Sequence, residues 1–268
     1  MIEFLKYLFL GFIQGFTEPI PVSSSGHLVI FRHLIHSNTL NDLNFEIILN
    51  FGSLIAIVFF FREDLLKLIH DFFCYLSSKE KKYEANFKYC WLIVVGTIPA
   101  GLLGLFLKDW IEETLGDVRI IGLALLITAL FLFLIKNLKG KKNDSDISFL
   151  DALIIGLFQA VAIFPGISRS GATIVGGMFL GFKRETAFKF SFMLYIPISL
   201  ATMILGVKDL IASKITADIW ITYMISMIVS GIVTYFATKW FNGVMKKGKL
   251  IYFVLYCLVV GTLVLCFM

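Results

Sequence analysis

Six apolar runs, Phe45–Phe61, Phe87–Leu107, Val118–Ile135, Phe188–Gly206, Asp218–Thr238 and Leu250–Met268, alternate with clusters of charge. Each is about 17–21 residues long, enough to cross the hydrocarbon core of a bilayer as a helix. With 58% of its 268 residues hydrophobic and only 16% charged, the chain has too little charge to cover a soluble domain. The pattern predicts an all-α integral membrane protein, a single membrane domain over residues 1–268. Met1–Phe16 is interrupted by Glu3, Lys6 and Gln14 and is followed by no small-x-small cleavage site, so it is expected neither to span nor to be removed. The cysteines, Cys74, Cys90, Cys257 and Cys266, have no disulfide-framework or metal-ligand spacing. The net charge of +5 comes from Lys and Arg scattered among loops, which argues against a nucleic-acid partner.

Two polar segments, PVSSSGH at Pro21–His27 and PGISRSGAT at Pro165–Thr173, interrupt apolar stretches too short to cross a bilayer comfortably. They occupy corresponding places. A shift that lays Gly11 on Gly156 also lays Gln14 on Gln159, Ser23 on Ser168, Ser25 on Ser170 and Gly26 on Gly171. Each half therefore reads as a re-entrant helical hairpin followed by three transmembrane helices. Repeat 1 covers about residues 1–135, a polar linker residues 136–148, and repeat 2 about residues 149–268. Ser77–Glu84 reads as a further solvated loop. An odd number of crossings inverts the second repeat relative to the first, an arrangement that brings broken helices together near the bilayer midplane. With both hairpins returning to their starting side, most of the 24 Lys and Arg residues share one face. The positive-inside rule makes that face cytoplasmic and puts both termini outside, with Lys6, Arg32 and Arg119.

Each polar turn runs into a short apolar stretch, beginning at about His27–Ile35 and Ala172–Phe182, and is expected to cap a half-helix. Two helix N-termini aimed at one point form an anion site through free N–H groups and the positive end of the helix dipole. Hydroxyls at Ser23, Ser24, Ser25, Ser168, Ser170 and Thr173 add donors beside Gly26 and Gly171, and Arg169 supplies a planar fork suited to phosphate oxygens. The halves differ at reactive positions: Glu18 corresponds to Ile163, His27 to Ala172, and Ser24 to Arg169. Acid–base and nucleophilic groups in one half and a fixed cation in the other suit phosphoryl transfer, where positioning and charge stabilisation supply most of the rate. Glu18 is a candidate to hold a divalent cation or orient a nucleophile; its structural alternatives are capping a half-helix or pairing with Arg169. His27 is a candidate nucleophile, general base or general acid, and Ser24 a nucleophile if His27 or Glu18 takes its proton. A transporter or lipid flippase is the competing reading of the same broken-helix site.

The segments GFIQGFTEPIPVSSSGHL at Gly11–Leu28 and FPGISRSGAT at Phe164–Thr173 closely resemble the two signatures of the bacterial undecaprenyl-diphosphatase, or bacitracin-resistance, family, and the resemblance extends over essentially the whole chain. It implies hydrolysis of undecaprenyl diphosphate to undecaprenyl phosphate and inorganic phosphate, recycling the lipid carrier of cell-wall synthesis. The implied setting is the outer face of the bacterial cytoplasmic membrane, with a divalent cation, Mg or Ca, as cofactor. The family's Glu/Gln-x-x-x-Glu pattern falls on Gln14 and Glu18, which makes them the metal candidates; its catalytic His falls on His27 and its Ser-rich turn on Ser23 and Ser24. Its second segment falls on Pro165, Gly166, Ser168, Arg169 and Ser170. Gln14 stands where many members carry Glu, leaving one carboxylate in that motif. Type-2 phosphatidic acid phosphatases share the SGH and SR fragments, but that group places a His six residues after its Arg, where this chain has Val175. The implied partners are the lipid substrate and the membrane; whether a second copy joins as a homodimer is left open.

Overall fold

Many hydroxyls lie buried inside this protein while many phenylalanines face outward. Ser53, Ser199, Ser226, Ser230, Thr234 and Thr238 are fully buried, whereas Phe106 and Phe267 are each about 80% exposed. That inverted polarity fits lipid as the surrounding solvent, in which helices associate through close backbone approach and interhelical hydroxyl bonds. The computed structural model describes residues 2–35, 43–115, 117–212 and 216–268. Among these the secondary structure is helical, apart from one isolated bridge between Lys142 and Phe182.

The first half contains α1 (Ile2–Thr17), α2 (Ser24–Ile35), α3 (Leu43–Phe60), α4 (Arg62–Ser78), α5 (Lys81–Leu115) and α6 (Val118–Ile135). The second contains α7 (Phe149–Val161), α8 (Arg169–Phe179), α9 (Arg184–Ala212), α10 (Ala217–Lys247) and α11 (Ile251–Phe267). The six expected spans correspond to α3, α5, α6, α9, α10 and α11. Four of them, α5, α6, α9 and α10, are long and apolar enough to cross a membrane on their own; α3 does so together with α4, from which it is bent by 73°. The chain is a multi-pass all-α membrane protein.

Three local expectations are corrected. Arg62–Ser78, which carries no expected element, forms α4, with Glu63 and Asp64 in its first turn where the helix dipole favours them. The loop expected at Ser77–Glu84 shrinks to Lys79 and Glu80, because α5 starts at Lys81. The linker at 136–148 is pinned rather than free. Lys142 N–H donates to the Gly181 carbonyl at 3.0 Å, the Lys142 carbonyl accepts from Lys183 N–H at 2.9 Å, and the Lys142 ammonium holds Asp151 at 3.0 Å.

Helix pairing is reciprocal between the halves: α1 packs on α10 and α7 on α5, while α3 meets α9 and α6 meets α11. Glycine makes the closest approaches. A Cβ on Gly15 of α1 would stand 2.4 Å from the Ser230 carbonyl oxygen of α10, and one on Gly156 of α7 would stand 2.5 Å from the Gly96 carbonyl oxygen of α5. Neither backbone could yield. On α3 and α10, Ser53 and Ser230 hydroxyls meet at 3.0 Å and Thr234 donates to Ser53 at 2.9 Å, which satisfies polar groups in a layer without water.

Candidate active site

Pro19 and Pro21 follow α1 and bar its continuation; Pro165 and Gly166 do the same after α7, with Gly166 at φ +89°. Both chains then turn back into helices that start three residues earlier than the apolar pattern suggests, so that Ser24 and Arg169 are first-turn residues rather than turn residues. The reason is local capping, and it is the same in both halves. Ser23 Oγ accepts from Gly26 N–H at 3.2 Å and Ser168 Oγ from Gly171 N–H at 3.1 Å. Ser23 and Ser25 hydroxyls lie 3.5 Å apart, Ser168 and Ser170 hydroxyls 3.3 Å apart. The copies differ in backbone at this serine: Ser23 sits at φ +67°, a left-handed conformation costly for a residue with a Cβ, while Ser168 sits at φ −72°.

The two turns touch. A Cβ on Gly26 would come within 3.2 Å of Gly166 Cα, and one on Gly171 within 3.3 Å of the Pro21 side chain, while Ser170 Oγ donates to the Ile20 carbonyl at 3.3 Å. Gly26 and Gly171 thus allow the hairpins to meet, and their N–H groups are taken by the capping serines.

Arg169 and Glu18 form the junction of the halves. Glu18, at the end of α1, accepts from Arg169 Nη2 and from the Ser24 hydroxyl, and from Gln14 Nε2 at 2.9 Å. The other arm of the Arg169 fork donates to Ser199 Oγ at 3.1 Å, and the guanidinium carbon lies 4.4 Å from the centre of the Tyr195 ring, a cation–π contact. Tyr195 is held by its hydroxyl on Asn50 Oδ1 at 3.0 Å. A quarter of the Arg169 side chain stays open while that of Glu18 is 4% exposed, so an incoming anion meets the guanidinium first. Nothing in the apolar pattern of α9 marks Tyr195 or Ser199 as site residues; a hydroxyl at membrane depth is their only sequence signal.

These groups line one cavity of about 720 Å³. Gln14, Glu18, Ser23, Ser24, Ser25, Ser168, Arg169 and Ser170 all reach it, together with Gln159 and with apolar wall from α5 and α9. Four candidates do not line it. Gly26 and Gly171 lie at the hairpin contact. Thr173 turns toward α9, bonded to Ser191 at 2.6 Å and to the Arg169 carbonyl at 3.0 Å. His27 is 2% exposed and points to α11: its Nδ1 lies 2.7 Å from the Ser23 carbonyl oxygen and its Nε2 2.7 Å from the Tyr256 hydroxyl. Both ring nitrogens are therefore engaged, on the left-handed Ser23 and on Tyr256. Glu46, at the cavity edge, pairs with Arg32 and so ties α3 to the first hairpin.

The chain is similar to known proteins over nearly its whole length. The chain is 47% identical over 264 residues to undecaprenyl-diphosphatase 1 of Bacillus licheniformis, covering 98% of this chain and 97% of the relative. It is 47% identical over 261 residues to undecaprenyl-diphosphatase 1 of Halalkalibacterium halodurans, covering 97% and 95%. The undecaprenyl-diphosphatase of Oceanobacillus iheyensis is 43% identical over 266 residues, covering 98% and 96%. Residues 7–263, from α1 to near the end of α11, match the family described as Bacitracin resistance protein BacA, and the chain belongs to that family.

Proposed function

We propose that this protein hydrolyses undecaprenyl diphosphate to undecaprenyl phosphate and inorganic phosphate in the bacterial cytoplasmic membrane. One observation carries the reading: Ser24 donates its hydroxyl hydrogen to Glu18, and Arg169 from the other half of the chain grips the same carboxylate, at the wall of a cavity in an otherwise apolar bundle. The lipid tail stays among the helices while the diphosphate reaches the hairpins.

Ser24 Oγ attacks the terminal phosphorus as its proton passes to Glu18. The bond from phosphorus to the bridging oxygen breaks, and undecaprenyl phosphate leaves with the electron pair. Water then attacks the phosphoserine; the Ser24 oxygen recovers the proton from Glu18, and inorganic phosphate departs with both hydrogens of the water. Arg169, oriented by Ser199 and Tyr195, stabilises the charge on the equatorial oxygens, and Ser23, Ser25, Ser168 and Ser170 offer further donors around the phosphates. His27 acts behind the turn, holding the Ser23 carbonyl that sets the direction of Ser24.

A divalent cation would be held here by Glu18 and Gln14. Among the described residues no three His, Cys, Asp or Glu side chains cluster. Glu18 is the one carboxylate at Arg169, and Gln14, whose amide nitrogen is given to Glu18, adds a carbonyl oxygen. Such oxygen donors would suit Mg or Ca, hard cations that bind through carboxylate and carbonyl oxygens beside phosphates. When bound, the cation neutralises phosphate charge.

The cavity is walled by the C-terminal parts of α5 and α9 and the start of α3, at Gly104, Leu205 and Glu46. The basic residues concentrate at the opposite ends of these helices, so the positive-inside rule supports an opening to the outer face. Purified protein in detergent with Mg or Ca should release inorganic phosphate from undecaprenyl diphosphate. Vesicles in which labelled lipid phosphate crosses the bilayer with no phosphate released would overturn the assignment in favour of transport.

A further inference from the structure

The two glutamines that correspond across the halves differ in one respect. Gln14 has Glu18 one turn on, and donates to it at 2.9 Å. Gln159 has Ile163 at that place, where no carboxylate waits. Gln159 is 1% exposed, and neither its Nε2 nor its Oε1 has a hydrogen-bond partner among the described residues. It lines the same cavity as Arg169 and Glu18. A buried amide left without partners is destabilising, and a leucine of similar volume would remove that cost. Helix packing does not call for an amide here: α7 approaches α5 through Gly156, one turn before Gln159.

We infer that Gln159 is a substrate-binding residue whose Nε2 donates to an oxygen of the phosphate that Arg169 does not hold. The inference rests on the hydrolase reading above and refines it. Its chemistry follows from charge. Arg169 is already balanced by Glu18, so a second cation would bind the diphosphate tightly but also retain the monophosphate product, whereas a carboxylate would repel both. A neutral donor engages the second phosphate while adding nothing to the hold on a lone phosphate at Arg169. Gln159 therefore separates the diphosphate substrate from inorganic phosphate, and the lack of a carboxylate at Ile163 keeps its amide free to do so.

The test uses full-length protein in detergent, a prenyl diphosphate as substrate, and two probes for binding: a non-hydrolysable prenyl methylenediphosphonate and inorganic phosphate. Gln159→Leu should weaken diphosphonate binding and raise KM by about tenfold, the effect of losing one hydrogen bond to a charged group, with inorganic phosphate affinity changed by less than about twofold. Its thermal midpoint should equal or exceed that of the wild type, since an unpaired buried amide is gone. Gln159→Glu, nearly the same shape, should weaken the diphosphonate further. Wild-type diphosphonate affinity in Gln159→Leu, or equal losses for both probes, overturns the inference. The hydrolase reading fails separately: Arg169→Ala retaining wild-type turnover would sink it, whatever Gln159 does.

Discussion

At the residue scale, the site depends on three side chains, with the Glu18 carboxylate held by both Ser24 and Arg169. Removing any one should lower turnover, and Arg169→Ala, which leaves the buried Glu18 carboxylate without its ion-pair partner, should lower the thermal midpoint as well. Ser24→Ala, Glu18→Gln and Arg169→Ala are each expected to lower kcat/KM by about 10²–10³-fold, the scale of losing a group that stabilises charge or activates the nucleophile, measured as phosphate release. Tyr256→Phe should behave differently. It leaves His27 Nε2 buried without a partner, which costs about 1–3 kcal/mol and shows as a lower thermal midpoint, with a smaller loss of turnover than in Ser24→Ala. Glu18 and Arg169 are legible in the sequence because charge at membrane depth is expensive and demands a reason. The direction of His27 is not. Ser24 and His27 are three residues apart on α2 and lie near one another on its surface, so which of them faces the cavity depends on how α2 is rotated against α11, a tertiary fact. Thr173 is the same kind of case, its hydroxyl drawn away by Ser191.

At the element scale, periodicity and length reveal the spans, and the repeated Ser/Gly turns reveal both hairpins, since an apolar helix that crossed without interruption would have no use for a proline followed by a run of serines. α4 escapes notice because it is amphipathic and charged, with no apolar run to announce it. Helix contact depends on absent side chains, which makes it easy to test. Gly15→Val should push α1 from the Ser230 carbonyl and lower stability by about 1–3 kcal/mol, seen as a fall in the thermal midpoint in detergent. Acid sensitivity has an identifiable source at the start of α7. Burial alone would raise the Asp151 carboxyl, but hydrogen bonds from Ser148 N–H, Lys142 and the Ser148 hydroxyl outweigh it and hold the group below the usual carboxylate range. A depressed folded value contributes stability above the ordinary carboxylate pKa of about 3.9 and loses it as pH falls through the folded value. Asp151→Asn should therefore lower the thermal midpoint at neutral pH and narrow its difference from the wild type in acid.

At the scale of the whole molecule, the reciprocal pairing of α1 with α10 and α7 with α5 places two similar turns against one another, and differences at a few positions put Glu18, Ser24 and His27 in one half and Arg169 in the other. The proposed orientation is open to direct measurement. In a cysteine-free background, Leu105→Cys, on the cavity wall, should react with a membrane-impermeant maleimide added to intact cells, whereas Ser78→Cys, at the end of α4, should react only after lysis. The reverse pattern would turn the opening inward.

The size of the cavity has a consequence of its own. About 720 Å³ is room for a drug-sized guest, enough for a phosphorylated head and the first isoprene units and far short of an eleven-unit chain. Everything past those units lies against the phenylalanine-clad exterior, where one hydrocarbon is as good as another. On the proposed reading, the protein would inspect where a polyprenol begins without counting how far it goes.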